Sequence, residues 1–299
     1  MMHLHLFGAQ TPTGEALNQQ LCSTHSAFPL VAYSRRDPSL LPADFSDPAA
    51  FRPGGEPGAP GLWISFGPIW LLAPFLEQLA LEHPDCLQSL RGVIACSSSS
   101  AITKRFAANR FDRELVARLT TAEDQLIATC RRLELPCRIL RPTLIYGRVG
   151  PYVDRNLSRL IGLMRRLPLL PLPTHTGLRQ PIHASQLAAV ALELVCQFTN
   201  SGWDPQLPQC IALGGDSELS YAAMLRALQL SLPDTDPARR CRVLSIPTRL
   251  FYTAASPLLM QSPKTFEAVL RMGSDLSGFT PSHQLLKAKP QPFPVSPLL

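Results

Sequence analysis

Gly8-Ala9-Gln10-Thr11-Pro12-Thr13-Gly14 is the stretch of this 299-residue chain whose residue types and spacing point most directly to chemistry. Glycines at its two ends bracket a tight turn, the spacing with which a strand hands over to a helix at a phosphate site. Gly8 lets the turn form, and Gly14 lets the helix come close to the strand. Thr11 takes the place of a middle glycine. Its hydroxyl either hydrogen-bonds a phosphate or its bulk weakens the approach of one, and both alternatives stay open. Thr11 is also a good N-cap, and Pro12 suits a first helical position, where its missing N–H would have had no partner. A helix opened this way presents free N–H groups and a positive dipole to any anion resting on Gly8. At the end of the next apolar run, Ser34-Arg35-Arg36 precedes Asp37. NAD sites tend to place an acidic residue at such a strand end for the ribose 2′-OH, and NADP sites an arginine. Arg35 and Arg36 are therefore either a fork of donors for a 2′-phosphate or a solvated pair in a loop.

Hydrophobic periodicity supplies the elements that position these residues. A strand over 3–7 ends at Gly8, and a helix from residue 12 has Leu17, Leu21 and Cys22 on one face. Residues 29–34 read as a buried parallel strand. Residues 53–61, rich in Pro and Gly, read as a flexible surface loop. A strand over 62–66 stops at Gly67-Pro68, and a helix over 70–82 is kinked or restarted at Pro74. A strand over 90–96 ends in four serines. A long helix over 108–133 carries Leu115, Leu119, Ala122, Leu126 and Cys130 at helical spacing, and 136–143 is again a strand. Strands alternating with helices argue for an α/β chain with a parallel sheet covered on both faces. Ligands bind such sheets beyond the strand C-termini, where Gly8, Arg35, Phe66-Gly67, Ser97-Ser98 and Arg141-Pro142-Thr143 all fall.

Composition narrows the function. The net charge is +6, but the basic residues are scattered and nearly all arginine, with no basic run interleaved with aromatics, which argues against nucleic acid as a partner. The N-terminus lacks a cleavable signal pattern. The apolar stretches around 167–172 and 250–260 are broken by Pro or polar residues and are too short to span a bilayer. The eight cysteines are dispersed with no C-x-x-C pair, as for reduced thiols in a cytoplasmic protein. No metal site is read from the spacing.

Several segments together resemble the short-chain dehydrogenase/reductase superfamily, in its extended or atypical branch of NAD-dependent epimerase/dehydratase type. They are Gly8 to Gly14, Cys96-Ser97-Ser98-Ser99, Ile139-Leu140-Arg141-Pro142-Thr143-Leu144-Ile145-Tyr146-Gly147, Arg179-Gln180-Pro181-Ile182-His183, Ile211-Ala212-Leu213-Gly214-Gly215 with Leu219-Ser220-Tyr221, and Pro290-Gln291-Pro292-Phe293. The likeness covers nearly the whole chain, and the Arg-Pro to Tyr-Gly segment is its most specific part. It implies a Rossmann-like doubly wound parallel sheet binding NADP or NAD, plus a small C-terminal α+β lobe that closes over a small-molecule substrate, often a nucleotide sugar. On that expectation residues 1–150, with a late strand and helix from 177–215, form the core, and 151–176 and 216–299 form the lobe and tail. The resemblance implies that Gly8, Thr11, Pro12 and Gly14 face the pyrophosphate and that Arg35 and Arg36 select NADP. It implies that Asp44 and Phe45 flank the adenine, that Phe66 and Gly67 line the dinucleotide path, that Ser97 and Ser98 sit beside the nicotinamide, and that Thr143 lies near its amide. His183 reads as a helix-entry residue satisfied by backbone in preference to a catalytic one.

One departure bears on activity. The family's chemistry needs a Tyr four residues before a Lys, so that the ammonium lowers the phenol pKa while hydride moves. No Tyr-x-x-x-Lys occurs in the chain. Thr121-Ala122-Glu123 resembles the family's anchor in this helix, and counting back from it puts Leu115 and Leu119 where the couple would stand. Ser100 and Lys104 share the spacing, but in a loop. Arg113 and Arg118 hold their protons too tightly to substitute; the catalytic residues are not assigned, and Ser98, which the resemblance places beside the nicotinamide, is named as a candidate. Two classes follow: a nucleotide-binding homologue with reduced or no standard redox catalysis, or an oxidoreductase or epimerase using other acid/base groups.

The second half reads as an amphipathic helix over 153–166 whose Arg155, Arg159, Arg165 and Arg166 form a solvated face in preference to meeting an anionic ligand, a proline-rich extended segment over 167–173, and a short strand over 177–182. Helices over 185–198 and 219–230, a strand over 239–244, helices over 250–260 and 265–272, and a surface tail from Lys287 follow. Gln186 stands where the family usually has an acidic residue. The apolar 250–260 helix is expected to pack into the core in preference to a membrane.

Overall fold

Strand β1 (His3–Phe7) runs into helix α1 (Pro12–Ser23), and β2 (Leu30–Ser34) lies parallel beside β1. A computed structural model describes residues 1–23, 28–296 and 298, without the side chains at 258, 259, 263, 264 and 268. Positions 24–27, inside the expected strand–helix–strand unit, and tail positions 297 and 299 lie outside the described residues. The first half continues with β3 (Leu41–Pro42), β4 (Gly61–Ser65), α2 (Ile69–Glu82), β5 (Leu90–Cys96), α3 (Ser100–Thr103), α4 (Arg110–Arg132) and β6 (Cys137–Pro142). Short strands follow: β7 (Ile145–Tyr146), β8 (Arg148–Val149) and β9 (Tyr152–Val153), then α5 (Asn156–Arg166) and β10 (Leu169–Pro173). Next come β11 (Leu178–Arg179), β12 (Ile182–His183), α6 (Ala184–Ser201), β13 (Cys210–Gly214), β14 (Leu219–Ser220), α7 (Tyr221–Ser231) and β15 (Arg242–Ile246). The last elements are α8 (Thr248–Ala255), α9 (Pro257–Gln261), α10 (Pro263–Leu270), β16 (Thr280–Pro281) and α11 (Ser282–Leu286).

Eight strands form one wholly parallel sheet in the order β16-β13-β6-β5-β4-β1-β2-β3, a Rossmann-like α/β fold. The chain leaves β1 toward β2 and β3, then returns to β4 and builds outward on the other side. The crevice for a ligand in such a sheet opens where that direction switches, beyond the C-termini of β1 and β4. Helices α1 and α6 cover one face, burying Leu4, Leu6, Leu17, Leu187 and Leu194. Helices α2 and α4 cover the other, over Phe7, Tyr33, Trp63, Phe75 and Leu126. Covering on both faces is why β1 and β4 are buried at every residue. A third cluster, outside the sheet, joins Leu157, Ile161 and Met164 of α5 to Leu172 of β10 and Met224, Leu225 and Leu228 of α7.

Several local expectations change. Cys22 is exposed instead of sharing the buried face of α1. Helix α2 runs through Pro74 without a restart. Helix α5 begins only at Asn156, with Val153 in β9, because Asp154 accepts the N–H groups of Asn156 and Leu157 and ends the extended segment. The strand expected over 239–244 is Arg242–Ile246, because Asp236 caps a 3-10 turn at Pro237–Arg240. The expected 250–260 helix is divided between α8 and α9 at Pro257, and Leu250 and Met260 are 63% and 93% exposed instead of packed in the core. The tail is not simply draped on the surface: the N–H groups of Gln291, Phe293 and Val295 donate to Asp216, Ser217 and the Tyr146 hydroxyl. Among the described residues no helix is long and apolar enough to cross a membrane.

Strand β1 also carries a buried histidine. Gly54 N–H donates to the Tyr33 hydroxyl at 2.8 Å, and Tyr33 lies 2.9 Å from His5 Nδ1. Burial pushes the Tyr33 phenol up to about 12, so it stays neutral and donates to Nδ1. Burial, and then the neighbouring His3, pull His5 down from 6.5 to about 4. The unfolded chain therefore binds a proton near pH 6.5 that the folded chain refuses until about pH 4. His5 favours the fold fully above pH 6.5, and that contribution is lost as pH falls toward 4, up to about 3 kcal/mol. Urea unfolding of the wild type and of His5→Gln between pH 7 and 4 should show a steeper loss for the wild type, and parallel profiles would refute the role of His5.

Candidate functional site

The turn after β1 is built by two close approaches. Gly8 has φ +84°, and a Cβ there would meet Gly67 N and Phe66 C at 3.0 Å. A Cβ on Gly14 would fall 2.3 Å from the Gly8 carbonyl oxygen, inside any real contact distance. Thr11 fastens the turn: its hydroxyl donates to the Gly8 carbonyl at 2.8 Å and accepts from Gly14 N–H at 3.0 Å. The single hydroxyl proton is thus engaged locally, and Thr11 caps α1. Pro12 takes the first helical position.

At the end of β2, Ser34 Oγ donates to Gln10 Oε1 at 2.9 Å and accepts from Arg36 and Asp37 N–H at 3.1 Å each. Asp37 accepts from Gln10 at 2.9 Å and from Ser39, whose two bonds hold its carboxyl below the usual range. The acidic residue beside the arginines is therefore turned to its own loop. Next to this lies a hollow of about 290 Å³ lined by Phe7, Tyr33, Asp44, Phe45 and Leu71, with Gly8, Thr11 and Arg35 at its border. Asp44 accepts from Ser46 N–H and hydroxyl, which keep it ionised, with help from the charge of Arg35.

At the end of β5, Ser97 donates its hydroxyl to Glu123, and Glu123 is gripped by Arg141, with Nε at 3.0 Å from Oε1. Glu123 is 1% exposed, so this is a buried carboxylate whose oxygens are all engaged from β5 and β6. Its hydrogen bonds hold the Arg141 guanidinium more firmly protonated. Ser98 Oγ accepts from Ser100 N–H at 3.1 Å.

These strand ends enclose a cleft of about 770 Å³. Of the residues expected there, Gly8, Thr11, Arg35, Arg36, Phe66, Gly67, Ser97 and Ser98 line it, and Asp44 and Phe45 line the adjoining hollow. Pro12 and Gly14 stand behind the turn. Thr143 is outside both linings, with its hydroxyl donated to the Gln180 carbonyl. Leu119 of α4 belongs to the core of α2 and α4 and also lies on the cleft wall, and Leu115 is partly buried against that core, outside the cleft lining. Tyr146 is buried elsewhere, its phenol pushed up by burial, and Lys104 pairs with Asp112 at 2.7 Å. His183 caps α6 in a reciprocal box with Gln186. Gln10, Ser34, Trp70 and Arg155 also line the cleft. Arg155 lies far along the chain, on a segment read from sequence as a solvated face in preference to a contact for an anionic ligand. The cleft lining holds three arginines and, among the described residues, no carboxylate.

No family model and no curated protein matches the sequence. Solved structures share its fold. Human epimerase family protein SDR39U1 with NADPH superposes with TM-score 0.61 at 12% identity, covering 99% of this chain and 96% of that one. Gre2 from Candida albicans gives 0.60 at 11% identity over 98% and 95%. UDP-glucuronic acid 4-epimerase from Bacillus cereus in complex with NAD gives 0.59 at 13% identity over 97% and 92%.

Replacing Gly14 tests the turn. Gly14→Ala forces α1 away from the Gly8 carbonyl, and the strain should cost about 1–3 kcal/mol in urea unfolding. Unchanged stability would mean that α1 tolerates the displacement.

Proposed function

We propose that this chain binds a pyridine dinucleotide in the cleft at the strand ends, NADP in preference to NAD, and that it lacks the standard proton relay of short-chain dehydrogenase/reductase enzymes. The observation that carries this reading is the pairing of a strand–turn–helix closed at two glycines, Gly8 and Gly14, with a cleft whose lining holds three arginines and, among the described residues, no carboxylate. Such a set fits an anion, and a dinucleotide with a 2′-phosphate offers anions at both ends of the turn. The residues present fit the group. Gly8, Thr11 and Gly14 hold the backbone where a pyrophosphate rests, and Arg35 and Arg36 take the 2′-phosphate while Asp37 is bonded to Gln10 and Ser39. Asp44 and Phe45 border the hollow assigned to adenine. When bound, the nicotinamide would supply hydride transfer.

The proton side of that chemistry is where the chain departs. Leu119 lies on the wall and cannot exchange a proton. The Ser97 hydroxyl is donated to Glu123, a carboxylate already neutralised by Arg141. The reading is therefore a dinucleotide-binding homologue with reduced or no standard redox catalysis. A second reading, an active oxidoreductase or nucleotide-sugar epimerase, is favoured by one observation: Ser98 lines the cleft and uses its oxygen only as an acceptor toward Ser100, so its proton remains to be donated.

Calorimetric titration with NADPH and NADH decides the binding. Arg35→Ala should weaken NADPH by about 10- to 100-fold, the range for a hydrogen bond to a charged group, and leave NADH within about threefold. Equal losses would refute the 2′-phosphate role. Absence of hydride exchange with nucleotide sugars and simple carbonyls in NADPH-loaded protein supports the silent reading, and turnover abolished by Ser98→Ala would replace it with the second.

A further inference from the structure

Arg155 is held in the cleft by a device of its own. Strands β8 and β9 form an antiparallel hairpin that packs on α1, and Tyr152 shares a hollow with Ala9, Gln10 and Glu15. Immediately after the hairpin, Asp154 is 8% exposed. Its carboxylate accepts the N–H groups of Gly147 at 3.2 Å, Asn156 at 2.8 Å and Leu157 at 2.7 Å. Asp154 is thereby satisfied by backbone and makes no ion pair with the arginine beside it. On the far side, Leu157 is buried in the cluster of α5, β10 and α7. The backbone of Arg155 is thus fixed before and after, and its side chain lines the cleft together with Gly8, Gln10 and Thr11. Its guanidinium has no hydrogen-bond or ion-pair partner among the described residues. Arg35 and Arg36 line the same cleft, which makes its lining positive. An exposed cation on a fixed backbone, without an ion-pair partner among the described residues and in a cleft lined by two further arginines, suits an anion.

We propose that Arg155 is the cationic contact for the pyrophosphate, a second jaw opposite the α1 N-terminus; the proposal rests on the dinucleotide reading of the cleft. It divides the labour among the arginines. Arg35 and Arg36, fixed beside Ser34 at the end of β2, serve the 2′-phosphate, and Arg155, beside Gln10 and Thr11, serves the diphosphate that NADP and NAD share. Because Arg155 also opens α5, the same contact joins the cleft to the third apolar cluster.

The test is titration of wild type, Arg155→Ala, Arg155→Lys and Arg35→Ala with NADPH, NADH and 2′-AMP, which has the 2′-phosphate and no pyrophosphate. Arg155→Ala should weaken NADPH and NADH by the same factor, about 10- to 100-fold, and leave 2′-AMP unchanged. Arg155→Lys should recover part of the loss by keeping the charge without the fork. Arg35→Ala should weaken NADPH and 2′-AMP alone. Wild type that binds both dinucleotides while Arg155→Ala binds them equally well overturns the proposal and leaves the reading of the cleft standing. A loss confined to NADPH and 2′-AMP overturns it too, by moving Arg155 to the 2′-phosphate. Wild type that binds no dinucleotide defeats the reading itself. Arg155 is exposed, so the Arg155→Ala unfolding midpoint should match wild type, which separates lost affinity from lost fold.

Discussion

The approach of α1 to the end of β1 governs the rest of the molecule. The Gly8 carbonyl lies where a Gly14 side chain would have to be, and Gly8 itself abuts the Phe66–Gly67 backbone. Three segments, from β1, α1 and the end of β4, therefore meet with no side chain between them. The helix terminus and the sheet's switch point coincide there, and a crevice with exposed backbone follows. Thr11 closes the turn in place of a glycine, by bonding to both ends of it. A side chain in that position is compatible with the close packing because it serves the helix as its cap.

Electrostatics around the crevice follow from what each acid already holds. Asp37 is bonded to Gln10 and Ser39, Glu123 to Ser97 and Arg141, and Asp154 to three backbone N–H groups. Buried or half-buried carboxylates need such partners because desolvation without them is costly. Their satisfaction leaves the lining of the main cleft with arginines and, among the described residues, no carboxylate, and net positive potential in a concave site attracts anions. The same accounting covers groups beside the cleft: Ser97 and Arg141 are both bonded to Glu123, and the helix that borders the cleft offers Leu119.

A second set of charges ties the loop after β5 to the C-terminal elements. Asp112 pairs with Lys104 and Arg271, both at 2.7 Å, and Glu267 pairs with Arg271 at 2.6 Å while accepting from Asn109. Lys104 follows α3, just beyond the cleft serines Ser97 and Ser98, and Glu267 and Arg271 come from α10 and the turn after it. The third apolar cluster lies outside the sheet, between α5, β10 and α7. The nearby helices α8 and α9 keep Leu250 and Met260 in contact with solvent, which apolarity along the sequence did not foretell.

The sequence by itself determined the parallel sheet, its alternation with helices, and the strand ends at which Gly8, Arg35, Phe66, Ser97 and Thr143 fall. These are local properties: period, glycine spacing and strand-stopping residues are written in consecutive positions. Boundaries in the second half were less legible, because Asp154, Asp236 and Pro257 end or start elements through caps and breaks that periodicity does not weigh. Only the tertiary structure decided which of the expected residues share a hollow. It put Thr143 against Gln180, bonded Asp37 to Gln10, and brought Arg155 into the same cleft as Gly8 across more than a hundred residues of chain. Those outcomes depend on how hydrogen-bonding capacity is divided between distant segments, and a linear pattern carries no record of that division.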